Sequence, residues 1–209
     1  PEYPFSSLES TRPTDLWNWM DAQRKAGNEL LAISHNGNLS NGRMFPIIEP
    51  VSGGKLDIKY AQTRMKWERL YEATQTKGDG EAHPYLSPND EFANFEIWDK
   101  GNLDGSVAKA KGMLETEYAR SALLNGMRLE AQLGTNPYKF GMIGSTDDHT
   151  ALATAEEDNF FGKFANSEPS DHRSQTHMAG GKYADWQLGA SGLAAVWAED
   201  NTREALFAA

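Results

Sequence analysis

Three clusters of polar residues in this chain have the types and spacing to do chemistry. The first is Gly144-Ser145-Thr146-Asp147-Asp148-His149-Thr150, which closes the short apolar run Phe140-Gly141-Met142-Ile143. Alternate residues of an extended segment point the same way, so Asp147 and His149 are expected to project together. A carboxylate beside an imidazole is half of a divalent metal site. The plainer reading is a surface loop after a strand, with His149 hydrogen-bonded to a neighbour. The second cluster is His35-Asn36 with the turn formers that run on to Arg43, and the third is Lys77-Gly78-Asp79-Gly80-Glu81.

Each cluster follows a segment that reads as a strand. Leu30 to Ser34, Leu70 to Gln75 and Phe140 to Ile143 are short apolar runs ending in polar residues, and Leu193 to Ala198 is a fourth, followed by Glu199-Asp200. Between them lie helical patterns over 15–26, with Gly27 placed to end it, and over 55–70. Ser87-Pro88-Asn89-Asp90 is a helix start signal that predicts a helix to about Lys100. A long helix is expected from about Val107 to Leu133, stopped by Gly134 with Pro137 beyond. Asn201 with Glu204 three residues on predicts a last helix over 204–209. Strands alternating with helices mean parallel strands joined by crossovers, and in such folds the site lies at the strands' C-terminal ends. Residues 151–191 form a long excursion, of the kind that serves as a lid.

Composition narrows the function. The 209 residues are enough for a single α/β domain with a sizeable core, and 6 Trp, 9 Phe and 7 Tyr can fill it. A net charge of -10 without a basic stripe argues against a nucleic-acid partner. The absence of cysteine removes disulfides, thiolate catalysis and cysteine-type zinc sites. No apolar run approaches the roughly 20 residues that span a bilayer. Pro1 leaves room for a targeting segment upstream, and the final helix stops without a cap, so the chain reads as a fragment truncated at both ends.

The motifs also carry a resemblance. Ile33-Ser34-His35-Asn36 with the following Asn38-Leu39-Ser40-Asn41-Gly42, the Lys77 to Glu81 loop, and Gly144 to His149 resemble an uncharacterised domain-of-unknown-function family related to the PHP (polymerase and histidinol phosphatase) superfamily. It covers most of the chain. The resemblance implies part of a distorted (β/α)7 barrel with about four parallel strands, and divalent metals (zinc, manganese or iron) at its C-terminal face. It carries over as metal ligands His35, Asp147 and His149. The superfamily's early His-x-His pair is not in this chain, and Asn36 stands where many members have proline, so the metal site is expected to be incomplete and weak.

The activity so implied is a metal-dependent hydrolase, phosphoesterase-like, acting on a small anionic substrate. Asn36, Arg43 and Lys77 are candidates for holding the anion, with Asp148 and Glu81 as catalytic carboxylates. The plainer reading of Arg43 and Lys77 is solvated charge, and of Glu81 a loop carboxylate without a partner. Glu72, inside a strand, reads as a structural acid. His83, His172 and His177 read as surface histidines. Phe160-Phe161-Gly162-Lys163 lacks the glycine spacing of a phosphate-binding loop. Two other readings stand beside the phosphoesterase: a binding module with a degenerate barrel site, and a metal-dependent amidohydrolase. Raw sheet edges at Leu30 to Ser34 and Leu193 to Ala198 predict self-association.

Overall fold

Strand β2, Leu70–Gln75, is the strand around which the sheet forms. Its sequence alternates, burying Tyr71, Ala73 and Gln75 while Leu70, Glu72 and Thr74 stay half-buried, which is the period-2 signature of a strand with one face on a core. The computed structural model describes residues 3–151, 156–159, 162–164, 170–175, 177–178, 181–188 and 192–209. β1, Ile33–Ser34, pairs parallel with β2 through Ile33 opposite Leu70 and Ser34 opposite Tyr71. β4, Gly141–Gly144, also pairs parallel with β2, with an irregularity between Glu72 and Thr74. β3, Gly78–Asp79, folds back antiparallel on the end of β2.

The sheet corrects the expected architecture. It is open, with three parallel strands and one antiparallel, and it does not close into any part of a (β/α)7 barrel. The fourth parallel strand is missing because Leu193 to Ala198 forms no strand, and Leu193, Val196 and Trp197 are exposed. An apolar run supplies the propensity for a strand, but strand pairing also needs a backbone ladder, and this run forms none with the edge strands β1, β3 and β4.

Helices fill the two parallel crossovers, as parallel pairing requires. α1, Pro13–Lys25, precedes β1, with proline in its first turn. α2, Ile58–Trp67, joins β1 to β2 and is capped by Asp57, whose carboxylate accepts from Tyr60 N at 2.7 Å. The expected helix of 107–133 is split into α3, Lys111–Leu114, and α4, Ala119–Leu133, with Gly134 in the left-handed conformation after it. α4 buries Ala119, Ala122, Gly126 and Leu129, one face at helical spacing. The helix expected from Ser87 to Lys100 is a run of turns. Asp90 accepts from Phe92 N at 2.9 Å and bridges to Arg120 on α4, and Glu96 at φ 47° is left-handed, so the signal is spent on turns. α5, Arg203–Ala208, forms with Thr202, not Asn201, as its cap.

The core is aromatic. Trp17 and Met20 of α1, Tyr60 and Trp67 of α2, Tyr71 of β2, Phe45 and Tyr138 pack as one cluster with the buried face of α4. Phe45 meets Tyr71 and Tyr138 edge-on at 5.0 and 5.5 Å. Buried Arg64 lies 5.0 Å from the Tyr138 ring and 2.8 Å from Glu68. Glu68 also accepts from Trp17 Nε1 at 2.9 Å and Ser34 Oγ at 2.8 Å, so one carboxylate ties α1 and β1 to the end of α2. No helix of the described residues is long and apolar enough to cross a membrane.

The break between α3 and α4 has a cause in charge. Glu117, fully buried, accepts from Gly42 N at 3.0 Å and from Lys109 Nζ at 2.6 and 2.7 Å, and Lys109 also donates to Asn38 O at 2.7 Å. A continuous helix could not turn Glu117 into that junction. Burial pushes the Glu117 pKa up, and Lys109 opposes the rise. Lys109→Met is expected to cost about 3 kcal/mol by leaving a buried carboxylate unpaired. Adding Glu117→Gln should recover at least half of that loss. Because the folded-state pKa lies above the unfolded one, K109M should also regain stability as the pH falls toward the ordinary glutamate range, and urea titrations across pH check both.

Candidate functional site

Parallel pairing brings the segments after β1, β2 and β4 out at one end of the sheet. Gln75, the last residue of β2, is buried and bridges two of them. Its Nε2 donates to Asn36 Oδ1 at 2.8 Å and to Asp147 Oδ2 at 2.9 Å, while its Oε1 accepts from Lys77 N at 2.5 Å. Asn36 and Asp147 both hold left-handed backbone, at φ 55° and 52°. Such conformations persist in non-glycine residues where the surroundings fix them, and they gather at functional sites.

Asp147 is the hub. Its Oδ2 accepts from the Nζ atoms of both Lys77 and Lys163, and Lys163 also donates to the Asp147 carbonyl at 2.5 Å. Its Oδ1 lies 3.1 Å from His149 Nε2, which is 3.3 Å from Lys163 Nζ. The loop is pinned on both sides, since His149 N donates to Lys163 O at 2.9 Å and the ring stands edge-on to Phe164. The side chains of Lys77 and Lys163 are 7% and 3% exposed, Asp147 is 23% exposed, and His149 is half in solvent at 53%. Burial alone would raise the Asp147 pKa, but the two ammonium groups overcome it and hold the carboxyl at about 2. Burial, with Lys77 beside it, pulls the Lys163 ammonium down to about 8 against the opposing pull of Asp147.

The sequence model of one family, described as a protein of unknown function (DUF3604), matches residues 1–209. The chain belongs to that family. No curated protein and no solved structure matches it. Membership in DUF3604 brings no activity and no link to the PHP superfamily with it.

Of the residues expected at the site in this DUF3604 chain, Asn36, Lys77, Asp147 and His149 are brought together. His35 leaves the same end of the sheet but is exposed, and among the described residues no three His, Asp or Glu side chains form a group that could hold a metal ion. The donor chemistry at Asp147 agrees, because an oxygen that accepts from two ammonium groups is a poor seat for a dication. His35, Asp147 and His149 as they stand do not fit a metal, and no step below runs through one. Arg43 is exposed. Glu81 pairs with Arg120 of α4 at 2.9 Å, and Asp148 accepts from Thr150 N and Oγ1 at 2.6 Å, so both carboxylates hold local structure. Glu72 accepts from Ser145 Oγ at 2.6 Å, as a structural acid should. His83, expected at the surface, is buried against Tyr118 and 3.2 Å from Asp99, whereas His172 and His177 are exposed.

Gln75 and Lys163 were not legible as site residues. The signal for Gln75 is its place on the buried face of β2 at the strand's last position. Lys163 comes from the excursion after β4, whose described parts include a hairpin of β5, His177–Met178, and β6, Tyr183–Ala184. Phe160 and Phe161 of its motif lie outside the described residues.

Asp147→Asn should cost about 4 kcal/mol in urea unfolding, since it strands two buried ammonium groups, and Lys163→Met less than half of that. Asparagine tolerates the left-handed backbone at this position, so the change isolates charge.

Lys163 sets a second expectation. Between pH 8 and its ordinary 10.5 the folded chain gives up the Lys163 proton while the unfolded chain keeps it, so stability contributed here rises with pH. The urea midpoint of the parent minus that of K163M should climb across that window, and a flat difference would place the Lys163 pKa elsewhere.

Proposed function

We propose that this site binds a small anionic substrate, of the phosphoester class, and hydrolyses it. One observation carries the reading: two buried ammonium groups share a single carboxylate oxygen. Asp147 neutralises one of them, and the neighbouring carboxylates of Asp148 and Glu72 each bond through one oxygen to Thr150 and Ser145 and to neither ammonium. A buried charge without its own partner is costly, and an anionic ligand supplies the missing partner. Lys77 and Lys163 then hold the anion, and the Gln75 and Asn36 amides keep the Asp147 loop in place beneath it.

The half-exposed His149 gives the site a base. With the ring proton on Nε2, donated to Asp147 Oδ1, the Nδ1 lone pair is left to take a proton from water as that water attacks phosphorus. The bond to the leaving oxygen breaks as the new one forms. Lys163, with its lowered pKa, is the nearby group able to give the leaving oxygen a proton.

Inorganic phosphate should raise the melting temperature and should bind more tightly below pH 8 than above it, because the charge on Lys163 is lost on that side. Lys77→Met and Lys163→Met should each weaken phosphate binding about tenfold or more. Hydrolysis of an aryl phosphate should fall about a hundredfold in His149→Ala with phosphate affinity kept. Phosphate that binds without turnover would leave a binding module, and phosphate that does not bind would end the proposal.

A further inference from the structure

The turn that carries Lys77 also builds a cavity. Thr76 and Gly78, on either side of Lys77, line a space of about 310 Å³ with Glu96, Trp98, Trp186 and Gln187. Its walls are fixed. Trp98 is buried and stacks on Tyr183 with centroids 4.1 Å apart and planes 7° off parallel, and Tyr183 Oη accepts from Lys100 N at 2.7 Å. Asn38 Nδ2 donates to Lys77 O at 3.1 Å and reaches Trp98 O at 3.5 Å, joining the turn to that wall. A Cβ on Gly78, at φ 99°, would stand 2.7 Å from Glu96 O and 2.9 Å from Trp98 Cβ, so only glycine permits this approach.

Two features of the cavity are unexplained by packing. Trp186 is 63% exposed, although it sits on a short turn, Asp185–Gln187, that is well anchored. Leu188 and Tyr183 on either side are buried with Trp98 and Leu39, and Gln187 Oε1 accepts from Ala184 N at 3.0 Å. The indole is therefore held out rigidly at the rim. Thr76 is 97% buried by its 3% exposure, and its hydroxyl has no partner among the described residues. A buried hydroxyl of that kind calls for a polar occupant.

An exposed indole beside an unpartnered hydroxyl and a carboxamide matches one common kind of ligand. A pyranose ring has a flat C–H face for the indole and a rim of hydroxyls for the polar groups. The volume sits at the small end for ligand pockets, the size of a single ring. We infer that this cavity seats the ring of a monosaccharide that carries a phosphate or sulfate, with the ring against Trp186 and the anion toward Lys77. The anion's place rests on the proposed function, whereas the ring's place rests on the cavity alone.

The test titrates the whole chain, by Trp fluorescence and calorimetry, with a panel of hexose and pentose phosphates and sulfates. Inorganic phosphate, inorganic sulfate, the neutral sugars and phenyl phosphate are the controls. At least one sugar ester should bind about tenfold tighter than its inorganic anion. Trp186→Ala should remove that gain and leave inorganic phosphate affinity unchanged, Trp186→Phe should keep part of it, and Thr76→Val should lower it. Because Trp186 is exposed, its replacement spares the core. Whether the sugar is a phosphate or a sulfate is read from which ester gains more. If inorganic phosphate fails to bind while a neutral sugar still quenches Trp186, the cavity stands and the anion site falls. No sugar ester tighter than its anion, phenyl phosphate preferred over every sugar ester, or equal losses for both in W186A would each overturn the inference.

Discussion

One carboxylate facing two ammonium groups organises the functional end of this protein. Asp147 Oδ2 is where Lys77 from the β2–β3 turn, Lys163 from the excursion after β4, and Gln75 from the end of β2 all meet. Among the described residues no other single side chain meets all three segments. The arrangement is asymmetric in energy, because pairing one ammonium with Asp147 repays part of its desolvation while the second has to share the same oxygen. That shortfall appears as the lowered pKa of Lys163.

Two further carboxylates tie together the elements around this hub. Glu68 gathers Trp17, Ser34 and Arg64 at the start of the sheet, and Glu117 gathers Gly42 and Lys109 beside the loop that follows β1. Glu117 is fully buried and Glu68 partly so, and both carboxylates have full sets of donors, which is the condition under which such groups are tolerated. Between them lies the ring cluster of Phe45, Tyr71 and Tyr138. Tyr71 has no room to move, since a side chain on Gly37 or Gly80 would run into its hydroxyl. The loop that carries Asn36 is therefore fixed from below by packing and from the side by Gln75.

What the sequence made legible is what short-range chemistry decides. β2 stands over Leu70–Gln75 as its alternation requires, Gly134 ends α4 as a left-handed cap, and the polar residues after β1, β2 and β4 share one end of the sheet. The errors lie where a local signal had a competing long-range partner. Asp90 looked like part of a helix start but is held by Arg120, and Glu117 looked like a helical residue but is drawn inward by Lys109. Leu193 to Ala198 had the composition of a buried strand but pairs with no strand and leaves Leu193, Val196 and Trp197 exposed. The barrel failed with it, since closure needs every strand to find two partners.

The site residues divide along the same line. Asp147 and His149 are two positions apart, and their proximity survives even though the backbone is left-handed at Asp147 and not extended as the alternation argument supposed. Short loops leave few ways to separate such neighbours. Lys163 is different, because nothing near it in sequence says that its ammonium will be buried on a carboxylate sixteen residues earlier. The hydrogen bond from His149 N to Lys163 O holds Lys163 beside that carboxylate. A carboxylate–histidine pair read from sequence invites a dication, whereas the structure surrounds the same pair with two ammonium groups that hold its charge instead.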